Sequence, residues 1–270
     1  MKMKRFIGIL QFMTRIPIKA DVGFDEEFHK TITYFPLVGL VLGVLIYFPL
    51  VGLIIGAISF IIGSLSSIIF DTFLTSILIV ACEVILTGGL HIDGLGDTFD
   101  AIYSNRDKER MLEIMKDSRL GTNSLLAILF LVLIKVGLLN SIINSNLMCL
   151  VIFMPMISRL GVIVMLYKTV TPREKGMGNI FIGKATLGMF ITAIVYTVVI
   201  LIVIAKFMFF STTINIIKLL LSILAVMIFN EIFKKHVYKK IDGVTGDILG
   251  CTIELGELIF LLFSYIVILL

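Results

Sequence analysis

Long apolar stretches alternate with short polar ones along this chain of 270 residues. A helix that crosses the hydrocarbon core of a bilayer needs about 20 mostly apolar residues. Seven stretches meet this requirement, at about 34–54, 73–90, 124–143, 147–167, 187–207, 213–233 and 251–270. An uncharged stretch at 58–70 is too short for a span of its own, and it either extends the first helix or lies at the membrane interface. The pattern predicts an all-α, polytopic integral membrane helix bundle with about seven transmembrane helices.

Basic residues are concentrated in every second segment between these spans. Residues 1–33 contain six Lys and Arg, 91–123 contain five, and 168–186 and 234–250 contain four each. The intervening segments contain none. Because short basic loops stay on the cytoplasmic side of a membrane, the alternation predicts a cytoplasmic N-terminus. It also predicts that the polar chemistry of the chain faces the cytoplasm.

The composition agrees with a membrane protein and disfavours other classes. Hydrophobic residues make up 59% of the chain, charged residues 16%, and the mean hydropathy is +1.09. A soluble domain is about 45–50% apolar and about 25% charged. The net charge of +4 follows from the basic cytoplasmic loops, so we expect the lipid bilayer, and no nucleic acid, as a partner. We expect a single domain over 1–270, with 1–33 as an amphipathic segment on the membrane surface.

The segment 91–123 carries the first candidate chemistry. Asp93, Asp97 and Asp100 are spaced by four and three residues, which places their carboxylates on one face of a helix. Like charges in such a row destabilise one another unless a cation lies among them, and hard oxygen ligands suit Mg²⁺ or Mn²⁺. Asp117 lies further along and could supply a fourth carboxylate. The alternative is a solvated loop whose acids have no ligand.

Other residues of this segment suit phosphate binding. Glycines such as Gly94 let a backbone approach a ligand closely, and Lys116 and Arg119 could clamp phosphate oxygens. His91 is either a general base beside the carboxylates or a polar residue at the lipid headgroups. The basic loop 171–186, which includes Arg173, is either a further phosphate contact or a solvated turn.

A second acidic segment, 242–257, precedes the last span. Asp247 is its strongest functional candidate, whereas Glu254 and Glu257 fall within the apolar run, where an ionisable group marks either a function or an ion pair. Glu83, Lys135 and Arg159 also lie within predicted spans. We expect Glu83 to pair with Lys135 or Arg159. Arg159 could instead point into the site and meet a phosphate.

Several motifs carry a resemblance to a known family. The runs TGGLHIDGLGDTFDA and ERMLEIMKDSRLGT, with LQFMTRIPI and YFPLVGLVLG before them and DGVTGDILGCTIELGE after them, resemble cobalamin 5′-phosphate synthases, also called adenosylcobinamide-GDP ribazoletransferases. The resemblance covers nearly the whole chain in the expected order. It implies a membrane-bound, Mg²⁺-dependent transferase that joins adenosylcobinamide-GDP to α-ribazole or its 5′-phosphate. The products are adenosylcobalamin, or its 5′-phosphate, and GMP.

The resemblance also implies roles for individual residues. The metal ligands would be Asp93, Asp97, Asp100, Asp117 and Asp247. From the residues themselves, we expect Asp93, Asp97 and His91 to be the catalytic residues. Substrate contacts would come from Gly94, Lys116, Arg119, Arg159 and Glu254.

Three other functions remain open at this point: a CDP-alcohol phosphotransferase, a prenyl transferase, and a divalent-cation transporter without catalytic activity. The order of the acidic motifs in this chain differs from the order in CDP-alcohol phosphotransferases. A prenyl transferase would need more membrane spans. The third would place acids near the membrane midplane on several helices. Also open are the choice between α-ribazole and its phosphate, the number of metal ions, and a homo-oligomer or an association with other cobalamin pathway enzymes.

Overall fold

The computed structural model describes residues 37–117, 119–173, 176–208 and 213–269. These residues form α-helices, with one short 3₁₀ turn at Met177–Ile180. The helices are α1 (Leu37–Ile69), α2 (Thr72–Thr87), α3 (Leu90–Ile102), α4 (Lys108–Ile114), α5 (Thr122–Asn144), α6 (Leu150–Leu166), α7 (Leu187–Met208), α8 (Thr213–Ile241) and α9 (Gly246–Leu269). The all-α prediction is confirmed, whereas the predicted interfacial segment 1–33 lies outside the described residues.

The first helix joins the predicted first span and the stretch 58–70 into one element of 33 residues. At 1.5 Å per residue it is about 50 Å long, which exceeds the hydrocarbon thickness of about 30 Å. Gly52 and Gly56 bring α1 directly against α6, because a Cβ at either glycine would overlap the backbone of Pro155 or Ile152. Because α1 continues to Ile69, the uncharged stretch 58–70 is an extension of the first helix.

A sharp break separates α2 from α3. Gly88 and Gly89 adopt φ angles of 64° and 75°, in the left-handed region that glycine enters without steric cost. Their N–H groups donate to the carbonyls of Ile85 and Val84, which closes the end of α2. The two helix axes differ in direction by 90°. The acidic segment thus begins on a new helix that runs across the direction of α2.

The helix α6 lies at the centre of the bundle. Each of its 17 residues is buried, and it packs against α1, α7, α8 and α9. Hydropathy predicts this segment as a span, since a helix surrounded by protein and a helix surrounded by lipid have the same apolar pattern. The structure shows a helix that is enclosed by other helices and has no free face.

Among the described residues, five helices are long and apolar enough to cross a membrane, and α2 with α3 would form a sixth if the bent pair is one span. Large apolar side chains are exposed along the outer faces of α5 and α7, including Phe130 and Ile191. The chain is therefore a multi-pass membrane protein. The predicted count of seven spans and the predicted side of the N-terminus are not confirmed, and α6 is shorter than a helix that crosses unaided.

Candidate active site

A cavity of about 370 Å³ opens where the first turns of α3 and α9 meet the loop between α6 and α7. His91 and Asp93 line it from α3, Asp247 lines it from α9, and Arg173 lines it from the loop. Its volume lies within the range of about 300–1,000 Å³ that is typical of small-molecule sites. We call it the Asp93–Asp247 cavity. It brings together both of the acidic segments that the sequence analysis identified.

Two helix N-termini converge on this cavity. Asp93 lies in the first turn of α3, and Asp247 lies in the first turn of α9. The N-terminus of a helix carries a partial positive charge of about half a unit, which stabilises carboxylates and also favours phosphate oxygens. The backbone therefore offsets part of the negative charge of the two aspartates.

Glycines allow α3 and α9 to approach this closely. A Cβ added at Gly94 would lie 2.6 Å from the carbonyl oxygen of Asp247, and one at Gly250 would lie 3.2 Å from the Cα of His91. Small residues at such crossings let helix backbones come into direct contact. The structure thus gives Gly94 a packing role, and its predicted contact with substrate stays a prediction.

The three aspartates of α3 lie on one helix, as their spacing predicts, but in different surroundings. Asp93 is exposed to the cavity, whereas Asp97 is partly buried. The charges that act on Asp97 are those of Asp93, Asp247 and Asp100, which repel it, and that of Arg173, which attracts it. Acidic groups outnumber basic ones around Asp97, which is the charge balance of a site for a cation.

Asp100 has a structural partner. Its carboxylate accepts hydrogen bonds from the backbone N–H of Gly121 at 2.7 Å and from that of Ser124 at 2.9 Å. These groups belong to the first turn of α5, whose N-cap residue is a glycine without a side chain. Asp100 therefore caps α5 from the neighbouring helix, and both of its oxygens are in use.

The metal prediction can be compared with these positions. Within the described ranges, no three His, Cys, Asp or Glu side chains are arranged to hold a metal ion. Mg²⁺ rarely needs so many protein ligands, because it binds through one or two carboxylates together with water and substrate phosphates. Asp93 and Asp247 at the cavity, with Asp97 beside them, offer the hard oxygen donors that it prefers. The donor set fits Mg²⁺ bound together with a phosphate ligand.

Arg173 lies on the loop for which sequence reasoning left two roles open. Its Nη2 lies 2.7 Å from Oδ2 of Asp247, and both side chains are largely shielded from solvent. Asn179 holds the loop in place by donating to the carbonyl of Arg173 at 2.8 Å and accepting from the hydroxyl of Thr171 at 3.1 Å. A loop ordered in this way and aimed at a cavity is unlike a solvated turn, so the structure favours the phosphate-binding alternative.

His91 lines the cavity and is 3% exposed. Its Nδ1 lies 3.4 Å from Nη2 of Arg159. Because a guanidinium only donates, this contact is a hydrogen bond in the tautomer whose Nδ1 accepts, and a neutral ring then carries its proton on Nε2. No described residue forms a hydrogen bond with Nε2. In that tautomer His91 has a donor available at Nε2, and its predicted role as a general base stays a prediction.

Arg159 itself is fully buried and does not line the cavity. Its Nη1 donates to the carbonyl of Pro155 at 3.1 Å and lies 3.4 Å from Oε1 of Glu257. The structure thus places Arg159 behind His91, where it contacts a side chain of the cavity wall. Its predicted contact with a phosphate stays a prediction.

A buried ion cluster lies next to this arginine. Lys135 on α5 is its centre, with Nζ 2.9 Å from Oε2 of Glu83 and 3.5 Å from Oε2 of Glu254, and in hydrogen-bond contact with Glu257. Arg159 completes the cluster through Glu257. The expected pairing of Glu83 with Lys135 is confirmed. Glu254, predicted to bind substrate, is instead buried beside Lys135, where it links α9 to α5.

The remaining predicted residues lie on the exposed segment that follows α4. Asp117 and Arg119 pair with each other, with Nη2 of Arg119 2.5 Å from Oδ2 of Asp117. The guanidinium, together with the backbone N–H of Arg119, lowers the pKa of the Asp117 carboxyl to about 2. Lys116 is exposed. None of the three lines the Asp93–Asp247 cavity, so their predicted metal and substrate roles stay predictions.

Comparison with known proteins gives one consistent family. The family model described as cobalamin-5-phosphate synthase matches residues 5–48 and 44–265. A protein of Clostridioides difficile named adenosylcobinamide-GDP ribazoletransferase is 62% identical over 98% of this chain and 98% of its own length. Proteins with the same name from Alkaliphilus metalliredigens and Clostridium novyi are 41% and 37% identical, covering 98% and 96% of this chain and 96% of each relative. No solved structure matches the chain.

Proposed function

The chain belongs to the cobalamin-5-phosphate synthase family, and we propose that it joins adenosylcobinamide-GDP to α-ribazole, or to α-ribazole 5′-phosphate, with release of GMP. The observation that carries this assignment is the near full-length similarity to proteins with one name. The Asp93–Asp247 cavity supports it, because two helix N-termini, an arginine and several carboxylates together suit a diphosphate.

The reaction is a phosphoryl transfer. A ribose hydroxyl of α-ribazole, or of its 5′-phosphate, would attack the phosphorus that bears the cobinamide, and any 5′-phosphate would be retained in the product. A new phosphorus–oxygen bond forms, and the bond to the bridging oxygen breaks, so that GMP leaves with that oxygen. Such reactions depend mainly on positioning and on stabilising negative charge. In this cavity, the donors suited to these tasks lie on α3 and on the α6–α7 loop.

We assign the charge-stabilising tasks to Arg173 and His91. Arg173 would donate to the transferred phosphate, since its guanidinium already faces the cavity. His91 would donate from Nε2, because Nδ1 faces Arg159. The attacking hydroxyl would then lose its proton to one of the cavity carboxylates. Arg159 acts as a positioning residue that fixes the tautomer of His91.

Magnesium is part of this proposal. Asp93 and Asp247, with Asp97 beside them, would hold it, and it would supply positive charge to the diphosphate. The side chains of the described residues offer too few close donors for a preformed three-ligand site. Metal and diphosphate should therefore bind together, each increasing the affinity for the other.

The orientation in the membrane is also proposed. Residues of three basic segments, 91–123, 168–186 and 234–250, contribute to the lining of the cavity. Basic segments remain in the cytoplasm, so the cavity would open there, at the plasma membrane. The nucleotide-linked substrate is charged and would approach from the same side.

The decisive experiment measures GMP release from adenosylcobinamide-GDP by the full-length protein in membranes. Asp93→Asn and Asp97→Asn should each lower turnover by at least about a hundredfold, with normal insertion and a weaker dependence on Mg²⁺ concentration. Glu109→Gln on α4 is the matched control, because it removes an exposed carboxylate outside the cavity.

Two outcomes would contradict the proposal. Near-normal turnover in both aspartate variants would rule out the metal assignment. Release of CMP from a CDP-alcohol, or of diphosphate from a prenyl donor, with no GMP from the corrinoid substrate, would rule out the reaction itself and support one of the other transferases.

A further inference from the structure

A second polar region lies on the outside of the bundle, away from the Asp93–Asp247 cavity. It is a depression of about 400 Å³ at the end of α8, where four lysines meet. Lys234, Lys235 and Lys239 come from α8, and Lys168 follows α6. We call these four residues the lysine patch.

The position of this patch relative to lipid follows from the outer face of α8. Large apolar side chains are exposed along that face at helical spacing. They are Ile217, Leu221, Leu224, Ile228 and Ile232. The next residues in the same register, three and seven positions after Ile232, are Lys235 and Lys239, and both are exposed. The surface that faces hydrocarbon therefore continues directly into lysines, at the depth where the headgroups begin.

The local charge balance is positive. Glu231 is the acidic partner, 2.8 Å from Nζ of Lys234 and 3.9 Å from Nζ of Lys235. Lys234 also donates to the carbonyl of Val164 at 3.0 Å, which anchors it. Lys168 lies over the ring of Tyr167, and neither it nor Lys239 has an ion pair among the described residues. Among the described residues, Glu231 thus pairs with two of the four lysines, and the other two have no carboxylate partner.

An unused donor accompanies this charge. Thr169 lines the same depression and is 5% exposed. Its hydroxyl is buried and has no hydrogen-bond partner in the described part of the chain. Buried hydroxyls are normally satisfied, so the wall of the depression has a donor left for a ligand.

We propose that the lysine patch is a binding site for the phosphate of an anionic phospholipid, whose acyl chains lie along the outer face of α8. A soluble phosphate would interact with the same lysines. However, the continuous apolar stripe that ends at the patch matches a ligand with a charged head and apolar chains. This site is separate from the transferase reaction, and neither depends on the other.

The test uses the absence of tryptophan from the chain. Ile232→Trp introduces one fluorophore on the lipid-facing surface, one turn before Lys235. The full-length protein is reconstituted in phosphatidylcholine vesicles with brominated phosphatidylglycerol or brominated phosphatidylcholine. Quenching then gives the relative affinity of the two lipids at this position. We expect phosphatidylglycerol to be favoured by roughly fivefold for each lysine engaged.

Variants locate the effect. Lys235→Gln with Lys239→Gln should abolish the preference. The control variant, Lys206→Gln with Lys218→Gln, removes the same amount of charge near the opposite end of α8. It should keep the preference for phosphatidylglycerol. Raising the salt concentration should weaken the preference of the unchanged patch, because the lysines are exposed.

Three outcomes would overturn the proposal. One is equal quenching by both lipids in the protein with an intact patch, and another is a preference that survives the loss of Lys235 and Lys239. The third is loss of the preference in millimolar inorganic phosphate but not in chloride of the same ionic strength. That result would assign the site to a soluble anion.

Discussion

Nη2 of Arg173 lies 2.7 Å from Oδ2 of Asp247, and this ion pair joins the α6–α7 loop to the first turn of α9. Only a small part of either side chain reaches solvent. The Nε of the arginine is buried and has no hydrogen-bond partner among the residues described. The guanidinium thus neutralises one carboxylate while keeping a donor for a further anion. An entering phosphate and a cation can share this pair, with the phosphate at Arg173 and the cation at Asp247.

Removal of this guanidinium should therefore affect the reaction more than the fold. We expect Arg173→Gln to lower GMP release about ten- to hundredfold, the cost of one charge-assisted hydrogen bond of about 1.5–3 kcal/mol. Arg173→Lys should recover only part of the activity, because an ammonium cannot form the paired contacts of a guanidinium. Lys184→Gln, an exposed residue of the same loop, is the control. Equal activity of Arg173→Gln and this control would remove Arg173 from the site.

The close contact of α3 with α9 leads to a prediction about stability. Gly94→Ala places a Cβ 2.6 Å from a backbone oxygen that cannot move without shifting α9. We expect it to destabilise the protein by about 1–3 kcal/mol and to lower turnover, because Asp93 and Asp247 move apart. Thermal unfolding in detergent and GMP release would measure the two effects.

Gly137 provides the matched control for this substitution. It lies within α5, and a Cβ there would meet nothing within 4 Å. Gly137→Ala should be neutral, or stabilising by up to about 1 kcal/mol through helix propensity. Equal effects of the two substitutions would show that the α3–α9 crossing tolerates a methyl group.

Sequence reasoning succeeded where a local rule was sufficient. Helical spacing placed Asp93 and Asp97 on one helix, and the energetic cost of an unpaired charge in an apolar span predicted the pairing of Glu83 with Lys135. Asp100 shows the limit, since its capping contact with α5 depends on which helices pack together. A carboxylate that caps a neighbouring helix has the same sequence signature as one that binds a metal.

The enclosed position of α6 was also not predictable, for a related reason. Lipid and protein interiors are similarly apolar, so hydropathy measures distance from water and does not distinguish the two environments. The pairing of Arg173 with Asp247 joins residues that are far apart in sequence. Only the position of the α6–α7 loop against α9 reveals it.

The exposed pair of Asp117 and Arg119 gives a prediction about pH. The pKa of the Asp117 carboxyl is lowered to about 2 by hydrogen bonds from Arg119, below the value of about 4 for an unfolded chain. A lowered pKa in the folded state means that the pair stabilises the fold above about pH 4. This contribution is lost as the pH falls through about 2.

The difference in unfolding midpoint between the unchanged protein and Asp117→Asn should be constant from pH 5 to 8 and shrink below pH 4. A difference that changes between pH 5 and 8 would contradict the pairing.

The buried ion cluster should be the most sensitive part of the bundle, because one lysine contacts three carboxylates. Lys135→Met would leave Glu83 and Glu254 without their cation and Glu257 with Arg159 alone. Removing one partner from a buried ion pair costs about 3–5 kcal/mol, so we expect a large drop in the unfolding midpoint and in the amount of folded protein.

The control Lys218→Met removes a lysine near the start of α8 and should have little effect. Adding Glu83→Gln to Lys135→Met removes one of the uncompensated charges and should restore part of the loss, because Lys135 is the cation that pairs with Glu83 among the described residues. If the double variant were less stable than Lys135→Met alone, Glu83 would have to stabilise the bundle through some contact other than Lys135.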